Sequence, residues 1–202
     1  MITLQALCFG ILGYLLGATP YGLIIARVFC HTDPRTGGSH NTGATNVARM
    51  CGFGWGVATL ACDLLKGALP VFLAQMEIGS PVVVTVAALS AVLGHVFSCF
   101  MNFKGGKAVA TSIGVFLPIA FPPLLIACLL CLIVIWRTEF VSAGSLTLVC
   151  SMPILLCLFF GDFQWLPLSL CVLAIVVWRH RENIERLRNG TEKSFLKSHQ
   201  TR

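Results

Sequence analysis

The sequence predicts an all-α integral membrane protein, a bundle of about seven transmembrane helices. Of its 202 residues, 56% are hydrophobic and only 11% are charged, and the mean hydropathy is +0.85, whereas soluble domains carry about 25% charged residues. Hydrocarbon cannot satisfy exposed backbone polar groups, so a membrane-spanning chain forms helices or a closed barrel. Runs such as residues 124–136 are apolar throughout and lack the alternation of a barrel strand. We therefore expect helices.

Each predicted span is an apolar stretch, and several approach the roughly 20 residues that the hydrocarbon thickness requires. In chain order the stretches cover residues 2–28, 53–76, 81–101, 108–121, 122–136, 141–160 and 164–178. The first has no basic region before it and a second apolar stretch follows, so we expect a retained span and not a cleaved signal peptide. Only Pro118, Pro122 and Pro123 separate the fourth and fifth stretches. These two could form one broken or re-entrant element, which leaves a range of five to seven spans.

The basic residues predict how the chain is oriented in the membrane. Apart from Lys66, every Lys and Arg falls in alternate connections: Arg27, Arg35, Arg49, Lys104, Lys107, Arg137 and seven residues from Arg179 onward. The positive-inside rule then places the N-terminus outside and the C-terminus in the cytoplasm. We expect one polytopic domain over residues 1–202, with three cytoplasmic polar segments at about 29–52, 102–108 and 179–202. The net charge of +6 thus reflects topology, and we expect no nucleic-acid partner.

The first polar segment has the composition of a phosphate-binding loop. Glycines let backbone N–H groups turn toward an anion, hydroxyls and amides add neutral hydrogen bonds, and an Arg guanidinium can contact phosphate through two N–H groups. The residues that offer these groups are Gly37, Gly38, Ser39, Asn41, Thr42, Gly43, Thr45, Asn46 and Arg49. A polar, flexible interhelical loop is the alternative.

The second polar segment places Lys104-Gly-Gly-Lys107 at the start of an apolar stretch. Two ammonium groups would then lie near the N–H groups of a helix start, where the helix dipole also favours an anion. The segment is not a nucleotide P-loop, because Met101 stands where the first Gly is needed and Ala108 follows the Lys. The alternative is that both lysines only anchor the chain at the membrane surface. His95, within the preceding apolar run, is more often a hydrogen-bonded packing residue than a ligand or base.

The third polar segment begins at Arg179 and is expected to continue the last helix as far as Asn189-Gly190, a helix-stop signal. His180 and Asn183 are three residues apart, so on a helix they share a face. Glu182 and Glu185 are expected to form surface pairs with Arg186. A basic helix lying on anionic lipid is the alternative for this segment.

Four polar residues lie within or beside the apolar stretches. Asp63 and Lys66 are three residues apart on the second predicted helix, where charges are costly in lipid, and we expect them to pair or to line the site. Ser142 and Ser145 follow the cytoplasmic connection at Arg137. Either could donate a hydrogen bond to a substrate phosphate, although serines that only pack helices are at least as common.

Three motifs, in order, resemble the acyl-phosphate:glycerol-3-phosphate acyltransferase family of bacterial inner membranes. They are GSHNTGATNVAR, GHVFSCFMNFKGGKAVAT and RHRENIERLRNGTE, and the resemblance covers nearly the whole chain. Three positions depart from the family pattern: His40 and Ala108 replace glycines, and Ser98 stands where the family often has Pro. Each departure is adjacent to a polar group assigned to the site, so loop geometry and donor preference are affected more than the reaction class.

The resemblance implies that the sn-1 hydroxyl of glycerol 3-phosphate attacks the carbonyl of a fatty acyl phosphate. The products are 1-acyl-glycerol 3-phosphate and phosphate, the first step of phospholipid synthesis, formed at the cytoplasmic face of the bacterial inner membrane. No His here has an Asp five positions on, unlike the His-x4-Asp pair of acyltransferases that use thioesters. A phosphate oxygen of the donor is therefore our candidate for the proton acceptor.

On this hypothesis five residues carry catalysis: Ser39, Asn41, Lys107, His180 and Asn183. The predicted substrate- and phosphate-binding residues are Arg49, Thr45, Asn46, Lys104, Gly105, Gly106, Ser142 and Ser145. Lys107, Arg49 and the amides of Gly105 and Gly106 would hold phosphate, while Ser39, Asn41, His180 and Asn183 would position glycerol 3-phosphate.

The expected partners are glycerol 3-phosphate, a fatty acyl phosphate and membrane lipids. The few carboxylates are scattered, so we predict no metal site and no cofactor, and we expect a monomer. A transporter of a phosphorylated metabolite is the alternative function, although transporters usually place their site near the membrane midplane and show related halves. A lipid-binding scaffold would leave both glycine-rich segments unexplained.

Overall fold

The computed structural model describes residues 1–161 and 163–195, and all regular secondary structure in them is helical. A 3-10 helix, Cys99–Met101, lies between the fifth and sixth α-helices. The α-helices are α1 (Ile2–Ala18), α2 (Tyr21–Cys30), α3 (Ala44–Cys51), α4 (Phe53–Glu77), α5 (Pro81–Val96), α6 (Val109–Phe116), α7 (Phe121–Thr138), α8 (Val141–Phe160), α9 (Leu166–Arg179) and α10 (Arg181–Arg188).

Five helical segments of the described chain are long and apolar enough to cross a membrane: Ile2–Cys30, Phe53–Glu77, Pro81–Met101, Phe121–Thr138 and Val141–Phe160. They coincide with five of the predicted stretches. The stretch at 108–121 contains only the eight-residue α6, and that at 164–178 contains α9, with 14 residues. Both helices are shorter than the roughly 20 residues of a full span. The chain is therefore a multi-span helical membrane protein, and the count of seven stays a prediction.

The first predicted span is divided into two helices. The division between α1 and α2 falls at Thr19–Pro20, because proline has no N–H group to continue the helical ladder. Side chains from other helices or loops bond the carbonyl groups at this division: Ser98 Oγ donates to Ala18 O, and Lys66 Nζ donates to Thr19 O at 2.8 Å.

The chain forms two compact units, one of residues Met1–Ile119 and a second from Ala120 onward. In the first unit, α1 packs along α5, while α4 packs against α3 and α6. Small residues allow these helices to approach closely, as is usual in membrane bundles. A Cβ on Gly17 would overlap the carbonyl oxygen of Ala91, and one on Gly67 would overlap that of Thr111.

In the second unit, α8 packs against α7 and α9, and α10 contacts both α8 and α9. The prediction that the third polar segment continues the preceding helix is wrong. A break at the buried residue His180 separates α9 from α10. The predicted stop is confirmed: α10 ends at Arg188, and Gly190 follows with a φ of 67°. Part of the predicted tail segment lies outside the described residues, namely residues 196–202 with Lys197 and Arg202. Asp162, in the last predicted outer turn, also lies outside them.

Candidate active site

The first polar segment is organised around the side chain of Asn46. Its Nδ2 lies 2.7 Å from Pro34 O, 2.8 Å from Asn41 O and 3.2 Å from Gly37 O. Its Oδ1 accepts a hydrogen bond from the backbone N–H of Ser39 at 2.7 Å. Asn46 is 1% exposed, so its amide holds the glycine-rich loop in one shape.

An acidic residue anchors the start of the same loop. Asp33 accepts hydrogen bonds from the side chains of Arg27 at 2.8 Å and Arg35 at 2.7 Å. The hydrogen bonds from Arg35, opposed by desolvation and helped by Arg27, hold the pKa of Asp33 well below its ordinary value. Arg27 and Arg35 are therefore committed to the loop's own carboxylate.

The predicted polar residues of this segment fall into two groups. Ser39 and Asn41 lie in the loop before α3, half-buried, and Asn41 Oδ1 accepts the N–H of Gly43 at 3.0 Å. Thr45, Asn46 and Arg49 lie on α3. Thr45 and Arg49 are four residues apart, so they share a helix face. The helix forms because no Gly or Pro interrupts residues 44–51, and Ala48 packs against Gly56 of α4.

The second polar segment is a turn between the 3-10 helix and α6. Lys104 is exposed, Lys107 is half-buried, and α6 begins at Val109, two residues after Lys107. Ala108, where the family pattern has glycine, adopts a φ of 60°, a conformation that L-residues other than Asn and Asp seldom adopt. Ala108 therefore occupies a conformation that glycine adopts at lower cost.

The two glycine amides that were predicted to hold phosphate donate to backbone carbonyl groups in this structure. Gly105 N donates to Val96 O at 2.9 Å and Gly106 N donates to His95 O at 3.1 Å, so both N–H groups are used by backbone bonds. The absence of side chains matters for a different reason. A Cβ on Gly105 would overlap the His95 carbonyl oxygen, and one on Gly106 would overlap His95 Nε2. The glycines thus let the turn lie directly against His95.

In the second unit, a carboxylate joins two predicted site residues. Glu192 Oε1 accepts hydrogen bonds from Ser142 Oγ at 2.7 Å and from Asn183 Nδ2 at 2.6 Å. Its other oxygen pairs with Arg186 Nε at 2.8 Å. Desolvation raises the pKa of Glu192, but the hydrogen bonds from Arg186, Ser142 and Asn183 outweigh it, and the net pKa lies below its ordinary value.

His180 and Asn183 are both buried, at 2% and 5% exposure. His180 Nδ1 lies 2.8 Å from Val176 O, which orients the imidazole at the junction of α9 and α10. The hydroxyl of Ser145 donates to Val141 O, one turn back in its own helix, at 2.8 Å. Ser145 therefore has the geometry of a helix-packing serine, whereas Ser142 belongs to the Glu192 cluster, defined as Ser142, Asn183, Arg186 and Glu192.

Sequence reasoning missed Glu192 and the contact of His95 with Thr111, whose Nδ1 and Oγ1 atoms lie 3.0 Å apart. The available signal for Glu192 was a single carboxylate just after a helix stop, in a basic segment. The prediction that Asp63 and Lys66 pair is confirmed, with Oδ1 and Nζ 2.7 Å apart.

Comparisons with known proteins agree with these features. A family model described as glycerol-3-phosphate acyltransferase matches residues 7–190. A glycerol-3-phosphate acyltransferase of Desulfovibrio desulfuricans is 67% identical over 187 residues, which cover 93% of this chain and 83% of that protein.

Two crystal structures of PlsY, an integral membrane glycerol 3-phosphate acyltransferase, share the fold. The glycerol 3-phosphate form is 37% identical with a TM-score of 0.90, and it covers 94% of each chain. The lysophosphatidic acid form is 36% identical with a TM-score of 0.87 and the same coverage. With the matched motifs and the fold in agreement, the chain belongs to the glycerol-3-phosphate acyltransferase family.

Proposed function

We propose that this protein transfers a fatty acyl group from an acyl phosphate to the sn-1 hydroxyl of glycerol 3-phosphate. The hydroxyl oxygen attacks the acyl carbonyl, the bond from the carbonyl carbon to the phosphate oxygen breaks, and the hydroxyl proton passes to a phosphate oxygen of the donor. The products are 1-acyl-glycerol 3-phosphate and inorganic phosphate. The relatives' names and the two PlsY ligand forms support the acceptor and the product class.

One observation in the first unit carries the proposal. The two glycine-rich polar segments adjoin a single small cavity of about 10 Å³, lined by Thr42 of the first segment and by His95 and Met101 beside the second. Tyr21 and Lys66 also line this cavity, so two hydroxyl groups, an imidazole and an ammonium group lie around it. Such a site suits anionic substrates and a leaving group that gains negative charge.

We assign roles within each unit separately. In the first unit, Lys107 and Arg49 hold phosphate, Lys104 and Thr45 assist, and Ser39 and Asn41 position glycerol 3-phosphate. An ammonium about 4 Å from a phosphate oxygen contributes roughly 4 kcal/mol at an effective dielectric of 20, so one lysine has a large effect on the rate. Asn46 supports the loop that presents them.

In the second unit, His180 and Asn183 position glycerol 3-phosphate, and Ser142 orients Asn183 through Glu192. Their support is burial together with the shared carboxylate partner of Ser142 and Asn183. Ser145 stays a weaker candidate for substrate contact because its hydroxyl is bonded within its helix.

We also infer the setting of the enzyme. The basic connections favour an N-terminus outside, a C-terminus in the cytoplasm and an active site that faces the cytoplasm across the bacterial inner membrane. Seven spans require α6 and α9 each to cross the membrane as short elements. Protease accessibility of N- and C-terminal tags in right-side-out and inverted vesicles tests this topology: cleavage of both tags from the same side contradicts it.

Phosphate release by the purified protein in lipid cubic phase tests the reaction. The substrates are glycerol 3-phosphate with either palmitoyl phosphate or palmitoyl-CoA. We expect turnover only with palmitoyl phosphate, and a loss of at least about 100-fold in Lys107→Ala, as the electrostatic term above requires. Arg188→Ala is the matched control, because it removes one exposed positive charge of α10.

Turnover with palmitoyl-CoA alone would contradict the donor assignment. Equal losses in Lys107→Ala and Arg188→Ala would contradict the role of Lys107 and point to a general effect of charge. Binding of glycerol 3-phosphate without turnover from either donor would favour transport of a phosphorylated metabolite.

A further inference from the structure

A charged pair lies inside the apolar helices of the first unit. Asp63 and Lys66 of α4 are 3% and 4% exposed, with Oδ1 and Nζ 2.7 Å apart. Ionisable residues within membrane-spanning helices are costly and usually serve a function. A buried ion pair is also weak evidence of stabilisation, because desolvation cancels much of the attraction. The pair therefore calls for a role besides holding α4 in place.

The Asp63–Lys66 pair lies beside a buried histidine, His95. Asp63 Oδ1 lies 3.9 Å from His95 Nδ1, and the same nitrogen lies 3.0 Å from Thr111 Oγ1. His95 is on α5, Thr111 is on α6, and they are 7% and 0% exposed. The imidazole of His95 is thus within hydrogen-bond distance of Thr111 on α6 and lies beside the carboxylate of Asp63 on α4. We name these four residues, Asp63, Lys66, His95 and Thr111, the buried polar cluster.

The cluster lies directly under the second polar segment. His95 Nε2 faces Gly106 closely enough that a Cβ there would overlap it, and His95 O accepts the N–H of Gly106. Lys107 is the next residue. A displacement of the imidazole would therefore change the position of the turn that carries this lysine.

The cluster also adjoins the first polar segment. Asp63, Lys66 and His95 line the cavity that Thr42 lines, and Thr42 is 7% exposed. Lys66 in addition bonds the carbonyl of Thr19 at the division of α1 and α2. One buried network thus supports both segments that we assign to phosphate and glycerol 3-phosphate.

We infer that the buried polar cluster is a positioning device for acyl transfer, which sets the Gly105–Gly106 turn and hence Lys107 through the imidazole of His95. The inference rests on the proposed function, since Lys107 has its role there. None of the four residues needs to touch substrate. The alternative is a purely structural role, in which Thr111 and the ion pair only pack the helices together.

Thr111→Val tests the inference with a change of one polar atom. It removes the hydrogen bond to His95, keeps the side-chain shape and introduces no buried charge. Thr111→Ser restores the hydroxyl. Thr59→Val is the matched control, because Thr59 is also 0% exposed and its hydroxyl donates to Trp55 O within its own helix at 2.9 Å.

Two quantities are measured: the kcat and KM for glycerol 3-phosphate, and hydrogen–deuterium exchange of the peptide that contains residues 103–108. The loss of one neutral hydrogen bond predicts a kcat about three- to tenfold lower in Thr111→Val, with a smaller change in KM and faster exchange at Gly105 and Gly106. Thr111→Ser is expected to recover kcat to within about twofold, and Thr59→Val to change neither quantity.

Wild-type kcat in Thr111→Val, with or without faster exchange, overturns the inference, and so does an equal loss in Thr59→Val. The exchange measurement distinguishes failure of this inference from failure of the proposed function. An inactive wild type with faster exchange only in Thr111→Val rejects the proposed reaction and supports the coupling of cluster to turn.

A second variant addresses the charged pair. Asp63→Asn/Lys66→Met removes both charges at similar volume, so that neither charge is left buried alone. We expect the same lower kcat and faster exchange of residues 103–108. A folded double variant with wild-type kcat and exchange overturns the role of the ion pair.

Discussion

Ser142 donates a hydrogen bond to Glu192, 50 residues later in the chain, with Oγ and Oε1 2.7 Å apart. The same carboxylate accepts a hydrogen bond from Asn183 and an ion pair from Arg186. One acidic side chain therefore ties the start of α8 to α10. Asn183, which we assign to substrate positioning, is held by this carboxylate, and Ser142 orients Asn183 through it.

Glu192→Gln is expected to lower the free energy of unfolding by about 1–3 kcal/mol, because a neutral amide replaces the charged acceptor of the hydrogen bonds. Arg186 also loses its nearer carboxylate, since Glu182 lies 4.0 Å away. The side chain of Glu192 is only 8% exposed, so water cannot compensate. The measurement is the thermal unfolding midpoint in detergent. The exposed Glu185→Gln on α10 is the control, and an equal change in both variants would contradict the prediction.

The same carboxylate predicts how stability depends on pH. Its pKa in the folded protein lies below the ordinary value of 4.5, so its stabilisation is present above that pH and is lost as pH falls through the folded pKa. We expect the unfolding midpoint to fall as pH is lowered from about 5 toward 3, with a shallower slope in Glu192→Gln. Asp33, whose pKa is also lowered, contributes a slope of the same sign that both proteins keep. Identical slopes would contradict the prediction.

Asn46→Asp is expected to disorder the first polar segment. The variant keeps an acceptor near Ser39 N but loses the N–H groups that bond Pro34 O and Asn41 O. Each buried group left unsatisfied costs about 1–3 kcal/mol, so we expect at least about a tenfold loss in kcat/KM and faster proteolysis within residues 33–43. Asn189→Asp, at an exposed position after α10, should retain wild-type values.

Gly106→Ala is expected to displace the second polar segment, because the added Cβ would overlap the imidazole of His95. We expect kcat to fall at least about tenfold, because overpacking at a buried site costs about 1–3 kcal/mol. Gly54→Ala is the control, since no atom lies within 4 Å of a Cβ there. An active Gly106→Ala with an unshifted turn would show that His95 does not constrain it.

Activity is expected to be independent of divalent cations. Among residues 1–161 and 163–195, no group of three or more His, Cys, Asp or Glu side chains could hold a metal ion. Because the few carboxylates are scattered along the sequence, we predict unchanged turnover after incubation with a chelator and dialysis. Loss of turnover that one metal restores would contradict the prediction.

Local sequence features were sufficient to predict much of the fold. Apolar length alone predicted α4 and α8 nearly to their ends, at 53–76 and 141–160, because lipid requires a continuous hydrophobic helix. Helix ends that depend on a single residue were harder to predict. Pro20 divides the first span, and the stretch at 108–121 contains only the short α6.

The candidate site shows a similar division. Three polar segments and the Asp63–Lys66 pair were visible in the sequence, because polar residues without a role in solvation are conspicuous in an apolar chain. Their hydrogen-bond partners were not visible. Gly105 and Gly106 bond backbone carbonyls of α5, where the sequence had suggested amides available to phosphate.

The sequence by itself determined the membrane class, the spans whose apolar length is sufficient, and the residue types that could bind phosphate. Only the tertiary structure decided which of those groups are already hydrogen-bonded within the protein. It paired Glu192 with Ser142 and His95 with Thr111, contacts between residues distant in the chain. The physical reason is that hydropathy and helix stops act over a few neighbouring residues, whereas a hydrogen bond between helices depends on how the packed helices meet.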